Sequence, residues 1–265
     1  MNTNIIEYLK TNSVNSFLSM KNQNEAMKLF NLKSKEVEKQ ALEIGIIPLR
    51  YKRNQSTINL KSQLKLLDAH VCIIGCGGLG GHVAEILTRI GIGNLTLIDF
   101  DIFEEHNLNR QNFSNYETLG MPKVLVVKEN LEKINPVIHI ETYIKKFDVE
   151  CDFELISKCD VVVDALDNPK IKLALAKACK ESNINFVHGA IAGMNGQFSS
   201  NSTLEHEYRN SSLGIEQVVG NPSFSVTFAA SIQSAEVIKI LLNIGEILDK
   251  NILITNLLEN EFILV

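Results

Sequence analysis

Apolar side chains in the first 48 positions recur at helical spacing: Ala26, Leu29, Phe30 and Leu32 form one stripe, and Val37, Ala41, Leu42 and Ile44 a second. Asn31-Leu-Lys-Ser34 supplies a break, with Ser34 as N-cap of a helix that ends near Gly45, and Pro48 marks a boundary. The mixed charge of this stretch favours an accessory helical pair, covering the main domain or a dimer surface, over a DNA-reading helix-turn-helix. From Ala69 onward short apolar runs alternate with amphipathic segments, the sign of βαβ units and a parallel sheet. Strands are expected at His70–Ile74, Asn94–Asp99, His139–Tyr143, Cys159–Ala165 and Asn185–His188, with helices near Gly80–Ile90, Pro122–Ile134 and Pro169–Ser182. Asn135-Pro136 stops the second of these helices. The polar run 199–212 (SSNSTLEHEYRNSS) reads as a long mobile loop, followed by an apolar helix over roughly Phe224–Asn243 whose Ala229, Ala230, Ser231 and Ala235 permit close packing. NILITN and EFILV predict a terminal hairpin. The expected fold class is α/β: a Rossmann-like, mostly parallel sheet with flanking helices, antiparallel C-terminal strands and a small N-terminal helical extension, divided as residues 1–48 and 49–265.

Composition narrows the class. With 265 residues, 45% of them apolar and 22% charged, the chain is long enough to bury a core without disulfide or metal staples. Its five cysteines include no C-x-x-C pair, which argues against a zinc knuckle and a secreted disulfide framework and points to a reducing cytoplasm. A net charge of −5 provides no basic field for a nucleic-acid backbone. MNTNIIEYLK has no basic segment followed by a long apolar one, and no run approaches the length of an uninterrupted apolar span. Secretion and membrane spanning are both disfavoured.

The candidate chemistry begins at His70-Val-Cys-Ile-Ile-Gly75-Cys-Gly77-Gly78-Leu-Gly80, a strand running into G-x-G-x-x-G at the mouth of a helix. Glycines there allow a tight turn and close approach of phosphate to backbone N–H groups, where the helix adds a partial positive charge. The next strand ends in Asp99, about twenty residues beyond Gly80, where a carboxylate can hold a ribose hydroxyl. This spacing fits NAD as well as ATP. Arg110 and Lys123 bring fixed positive charge to the helix mouth if their segment folds back there, which suits a triphosphate attacked at its α-phosphorus. Asp160-Val-Val-Val-Asp164-Ala-Leu-Asp167-Asn168 places carboxylates at the end of an apolar strand. Asp167, just past it, can bind Mg²⁺ and orient a pyrophosphate leaving group, whereas Asp164 reads as a hydrogen-bonded structural acid and His188 as a packing histidine.

The motifs IIGCGGLGG, IGIGNLTLIDFD, NLNRQ, GMPK, INP and DALDN, in this order, resemble the adenylyltransferases of the MoeB/ThiF/HesA group, relatives of the ubiquitin-activating enzymes. The resemblance covers about residues 50–198 and, more loosely, GNPSFSVTFAASIQSAEVIKIL. It implies ATP and Mg²⁺, and adenylation of the C-terminal glycine carboxylate of a small ubiquitin-fold sulfur-carrier protein ending in Gly-Gly, by a homodimer. Residue by residue, it implies that Gly75, Gly77, Gly78 and Gly80 wrap the nucleotide and that Asp99 holds the ribose. Asn107, Arg110 and Lys123 would then contact the phosphates, with Asp167 as magnesium ligand and catalytic acid. Arg50-Tyr-Lys-Arg53-Asn resembles the family's R-Y-x-R-Q segment, with Asn54 in place of glutamine, and makes Arg53 a residue acting on the neighbouring subunit's nucleotide.

Many members of that group carry two C-x-x-C zinc pairs after the segment matching Gly189–Gln197; this chain has no cysteine beyond Cys179, so zinc and a thioester or persulfide step are not expected. Cys72 and Cys179 read as core residues and Cys76 as a space filler. Two other activities were weighed: carboxylate activation on tRNA, as in the related threonylcarbamoyladenosine dehydratases, which the acidic charge and the R-Y-x-R segment disfavour, and an NAD-dependent oxidoreductase, which the Arg110/Lys123 pair disfavours. The intact Asp99, Arg110, Lys123 and Asp167 set argues against a scaffold that has lost catalysis.

Overall fold

The computed structural model describes residues 4–205 and 219–265. Eight strands form one sheet: β4 (His70–Ile74), β5 (Asn94–Ile98), β6 (His139–Tyr143), β7 (Val161–Asp164), β8 (Asn185–Ala192), β9 (Asn195–Ser200), β10 (Leu253–Asn256) and β11 (Glu261–Leu264). Their spatial order is β11-β10-β9-β8-β7-β4-β5-β6. The five strands from β6 to β8 are parallel and the last three additions are antiparallel, as the apolar runs and the terminal hairpin predicted.

Parallel strands must be covered on both faces because each crossover returns over the sheet. One face carries α5 (Gly78–Ile90), α6 (Lys123–Ile134) and α9 (Ser223–Leu242), which close the larger core around Val71, Ile73, Leu95, Val163 and Val187. The other face packs α7 (Val149–Ile156) and α8 (Pro169–Glu181) on Cys72, Ile74, Val162 and Phe186, with Cys179 and Cys159 in the same cluster. Chain order reverses direction between β4 and β7, and that reversal opens a crevice above the carboxyl ends of the strands.

Helix α9 is long and apolar enough, by length and composition, to cross a membrane, yet more than half of it is buried against α5 and β8. Of the small residues expected to permit close packing, Ala229 and Ala230 are fully buried, whereas Ser231 and Ala235 are exposed on the opposite side of the helix.

The first 48 residues hold more than two helices. α1 (Ile5–Thr11), α2 (Met20–Phe30) and α3 (Ser34–Glu43) are joined by a small sheet of β1 (Ser13–Val14), β2 (Phe17–Leu18) and β3 (Ile47–Pro48), around a cluster that includes Leu9, Leu18, Val37 and Ala41. Ser34 is the first helical residue, not the N-cap: Lys33 precedes it and donates its N–H to Glu36 Oε2 at 2.6 Å, while the Ser34 hydroxyl accepts from Gln23 Nε2. The extension is tied to the main sheet by Lys35, whose Nζ donates to Asn94 Oδ1 at 2.8 Å and Gly93 O at 3.1 Å.

Three further expectations needed correction. Helix α5 starts at Gly78, two residues early, because Gly77 already has cap geometry. The strand expected to stop at His188 runs on to Ala192 and returns as β9, so Ser199 and Ser200 are paired strand residues rather than loop; positions 206–212 of the predicted loop lie outside the described residues. Short helices α4 (Leu60–Asp68) and α7 were not anticipated; α4 does carry Leu60, Leu64 and Leu67 at helical spacing, but over only nine residues.

Candidate active site

The glycine segment after β4 is shaped by two different demands. A Cβ on Gly80 would lie 1.8 Å from the Gly75 carbonyl oxygen, and one on Gly75, whose φ is +95°, would lie 2.4 Å from the Ala165 oxygen. Those two glycines are required by the fold itself. Gly77 is different: its Cβ would meet no atom closer than the Gln111 Nε2 at 3.5 Å. That is an ordinary van der Waals contact, so the fold does not demand glycine at Gly77, which lines the crevice at the N-terminus of α5.

Asp99, at the end of β5, fixes this loop. Its Oδ2 accepts the Cys76 N–H at 2.6 Å and its Oδ1 the Asp101 N–H at 2.8 Å. Burial pushes its carboxyl above the ordinary value, against the pull of those two amides and of Lys123. Its remaining lone pairs line the crevice, so loop clamp and ribose acceptor are compatible roles. Burial likewise pushes the Cys76 thiol well up, leaving an inert space filler in the loop.

The segment 100–123 does fold back to the helix mouth. Ile102 and Pro122 form an antiparallel bridge, Lys123 N–H donates to Asp101 O, and Phe103 and Phe113 anchor the excursion in the core. Lys123 is brought in nearly buried, with Nζ 3.0 Å from Asp101 Oδ2. Asn107 is buried and caps a short turn by accepting the Glu104 N–H, and Arg110 lies one turn on, its Nη1 held by His106 O and Asn109 Oδ1. Gly75, Gly77, Gly78, Asp99, Asn107, Arg110 and Lys123 all line one crevice of about 800 Å³; Gly80 is buried behind it. Asp167 faces them from across the switch point, exposed, with no ion pair or hydrogen bond among the described residues, one residue before the Asn168 cap of α8.

Arg53 is not brought in. It lies exposed on the 3₁₀ turn Leu49–Asn54 and does not line the crevice of its own chain. Arg50 is structural, bonded to the buried Glu38 and to Gln23. Asp164 and His188 are fully buried and bonded to each other, as a structural acid and a packed histidine should be.

Sequence reasoning missed four crevice residues: Lys145 and Lys146 after β6, Lys172 on α8, and Gln111, whose buried Oε1 has no partner. None carries a local signal, since lysines on amphipathic helices and after strands are ordinary surface residues. Beyond the glycine loop the crevice continues along Gly189, Ala190, Ala192, Asn195, Gln197 and Ile254, all uncharged.

A family model described as the ThiF family matches residues 51–264. The chain belongs to the ThiF family. Among ThiF-related proteins, the molybdopterin-synthase adenylyltransferase of Haemophilus influenzae is 37% identical over 209 residues, spanning 75% of this chain and 86% of that protein. The SAMP-activating enzyme E1 of Haloferax volcanii is 29% identical over 223 residues, 80% of this chain and 83% of its own. The crystal structure of E. coli MccB with ATP shares the ThiF-type fold at a TM-score of 0.69 and 24% identity, covering 92% of this chain and 81% of that one.

Proposed function

We propose that this chain is an ATP-dependent adenylyltransferase that activates the C-terminal glycine carboxylate of a small ubiquitin-fold sulfur-carrier protein. ThiF-family membership and the adenylyltransferase and E1 activities named for its relatives support the reaction class. The observation that carries the reading is one crevice at the N-terminus of α5 lined together by Gly77, Gly78, Arg110, Lys123 and Asp167.

A carboxylate oxygen of the tail attacks the α-phosphorus, the bond from that phosphorus to the bridging oxygen breaks, and pyrophosphate leaves with the electron pair. Repulsion between a carboxylate and a polyphosphate opposes the attack. Arg110, Lys123 and the α5 N-terminus offset it by holding the phosphate oxygens, and the uncharged Gly189–Gln197 side of the crevice receives the tail. Asp167 fits Mg²⁺, which takes one or two carboxylates plus phosphate oxygens and water: its carboxylate is unencumbered and faces the crevice, while no closed three-ligand group exists among the described residues. Bound there, the ion would neutralise charge on the leaving pyrophosphate. In a homodimer, Arg53 would serve the partner's crevice.

ATP–pyrophosphate exchange tests the proposal, run with and without Gly-Gly-terminated ubiquitin-fold proteins beside a parallel NAD titration. Carrier-dependent exchange is expected; NAD binding without exchange would overturn it.

A further inference from the structure

At the floor of the crevice, where Lys172 reaches its lining, lies a charge cluster that the adenylation chemistry above does not use. Asp164 and His188 are fully buried and the Lys172 side chain is 5% exposed. Asp164 Oδ2 accepts from Lys172 Nζ at 2.9 Å and from His188 Nδ1 at 2.7 Å, while its Oδ1 accepts the Leu166 N–H at 3.0 Å. Lys172 Nζ also donates to Gly189 O at 3.4 Å, and Gln233 Nε2 to the Asp164 carbonyl at 2.9 Å. The carboxylate therefore joins the turn after β7 to α8 and β8, and the backbone carbonyl of the same residue ties it to α9.

That turn, 165–168, lines the crevice. Its Ala165 carbonyl presses on Gly75 so closely that a Cβ there would lie 2.4 Å away, and it carries Asp167 one residue beyond the amide that Asp164 holds. A buried carboxylate stripped of its cation is costly, and it escapes by taking a proton or by turning toward water. Turning toward water breaks the bond to Leu166, which a carboxylate fixed by Lys172 keeps.

We propose that Lys172 is a positioning residue for adenylation: through Asp164 it fixes the 165–168 turn, and with it the Asp167 carboxylate, against the glycine loop. What Asp167 then does rests on the adenylyltransferase reading; the positioning itself does not. Lys172 acts only by keeping Asp164 ionised and in place, so a neutral pair that preserves the Leu166 bond does the same work. Asn at 164 can still accept that N–H, and Met at 172 removes the charge it would otherwise strand.

The test compares wild type, Lys172→Met and the double variant Asp164→Asn/Lys172→Met by amide hydrogen exchange at Leu166 and by carrier-dependent pyrophosphate exchange. Lys172→Met is expected to exchange the Leu166 amide about tenfold faster and to lose roughly 10–100-fold in kcat, the range for groups that orient a ligating side chain, with KM for ATP nearly unchanged. The double variant should recover both. Unchanged Leu166 exchange in folded Lys172→Met, or a folded double variant as slow as the single one, overturns the proposal. If Lys172→Met does not fold, the double variant decides by itself, since it must then fold, protect Leu166 and turn over near the wild-type rate. Should wild type catalyse no exchange with any carrier, the adenylation reading fails, and Leu166 protection still decides the positioning.

Discussion

Gly77 and Gly80 lie three residues apart in the same loop and should fail in opposite ways when given a methyl group. At Gly80 the new Cβ would lie 1.8 Å from the Gly75 carbonyl oxygen, backbone against backbone, with the Ala165 Cβ at 3.0 Å. Neither neighbour is a flexible side chain, so the loop must open; a loss on the order of 4–5 kcal/mol, enough to abolish folding of a marginal domain, is expected. At Gly77 the nearest atom is a side-chain nitrogen at 3.5 Å, so the folded apoprotein accepts the methyl. The only stability cost is the exchange of glycine for alanine at a helix N-cap, about 1 kcal/mol or ~2–4 °C in Tm for a chain of this size. The methyl instead occupies the path by which phosphate reaches the α5 amides. Losing one hydrogen bond to a charged group costs roughly 1.5–3 kcal/mol, so affinity for a non-hydrolysable ATP analogue should fall about 10–100-fold. Thermal unfolding and titration calorimetry on the two variants read both outcomes. If Gly77→Ala binds the analogue as wild type does, phosphate does not pack against Gly77.

Two further expectations follow from placement and charge. Arg53→Ala and Asp167→Ala should each stay folded and be inactive alone, and an equimolar mixture should regain pyrophosphate exchange if Arg53 serves a second copy's crevice; a mixture as inactive as its components would remove Arg53 from the reaction. Burial alone would raise the Asp164 carboxyl, but the Lys172 charge and the His188 hydrogen bond outweigh it and hold the value below the ordinary one. Its contribution to stability is therefore complete above the usual aspartate value of about 3.9 and is lost as pH falls through the lowered native value. Urea unfolding between about pH 6 and about pH 3 should show a steeper acid limb in wild type than in Asp164→Asn/Lys172→Met, and parallel curves would contradict this.

The parallel sheet and the glycine loop were legible because their signals are local. Five apolar runs at βαβ spacing can bury themselves in few other ways, and a G-x-G-x-x-G between strand and helix limits the backbone that follows. Elements with short or weakly periodic patterns were not legible: α4, α7 and β9 exist because the main sheet offers them a surface or an edge. The small amino-terminal sheet is similar, since two-residue strands such as β1 and β2 have no propensity worth reading and form only when α2 and α3 close over them. Ser34 shows the same limit at one residue: a good N-cap type sits inside the helix because its hydroxyl is taken by Gln23.

By itself, the sequence determined which residues carry charge and glycine and in what order, and so the class of sheet and the glycine turn at the mouth of its first crossover helix. Tertiary structure decided which of those residues meet. The Ile102–Pro122 bridge, not the spacing of Arg110 and Lys123, carries the 100–123 excursion back to the helix mouth, and the absence of any such tie leaves Arg53 outside the crevice of its own chain. Lys172 reads as one more lysine on an amphipathic helix until α8 packs on the sheet and sets its ammonium against a buried carboxylate eight positions earlier. Composition is a property of the chain, but desolvation is a property of the packed molecule, and it is desolvation that turns an ordinary lysine into a fixed charge.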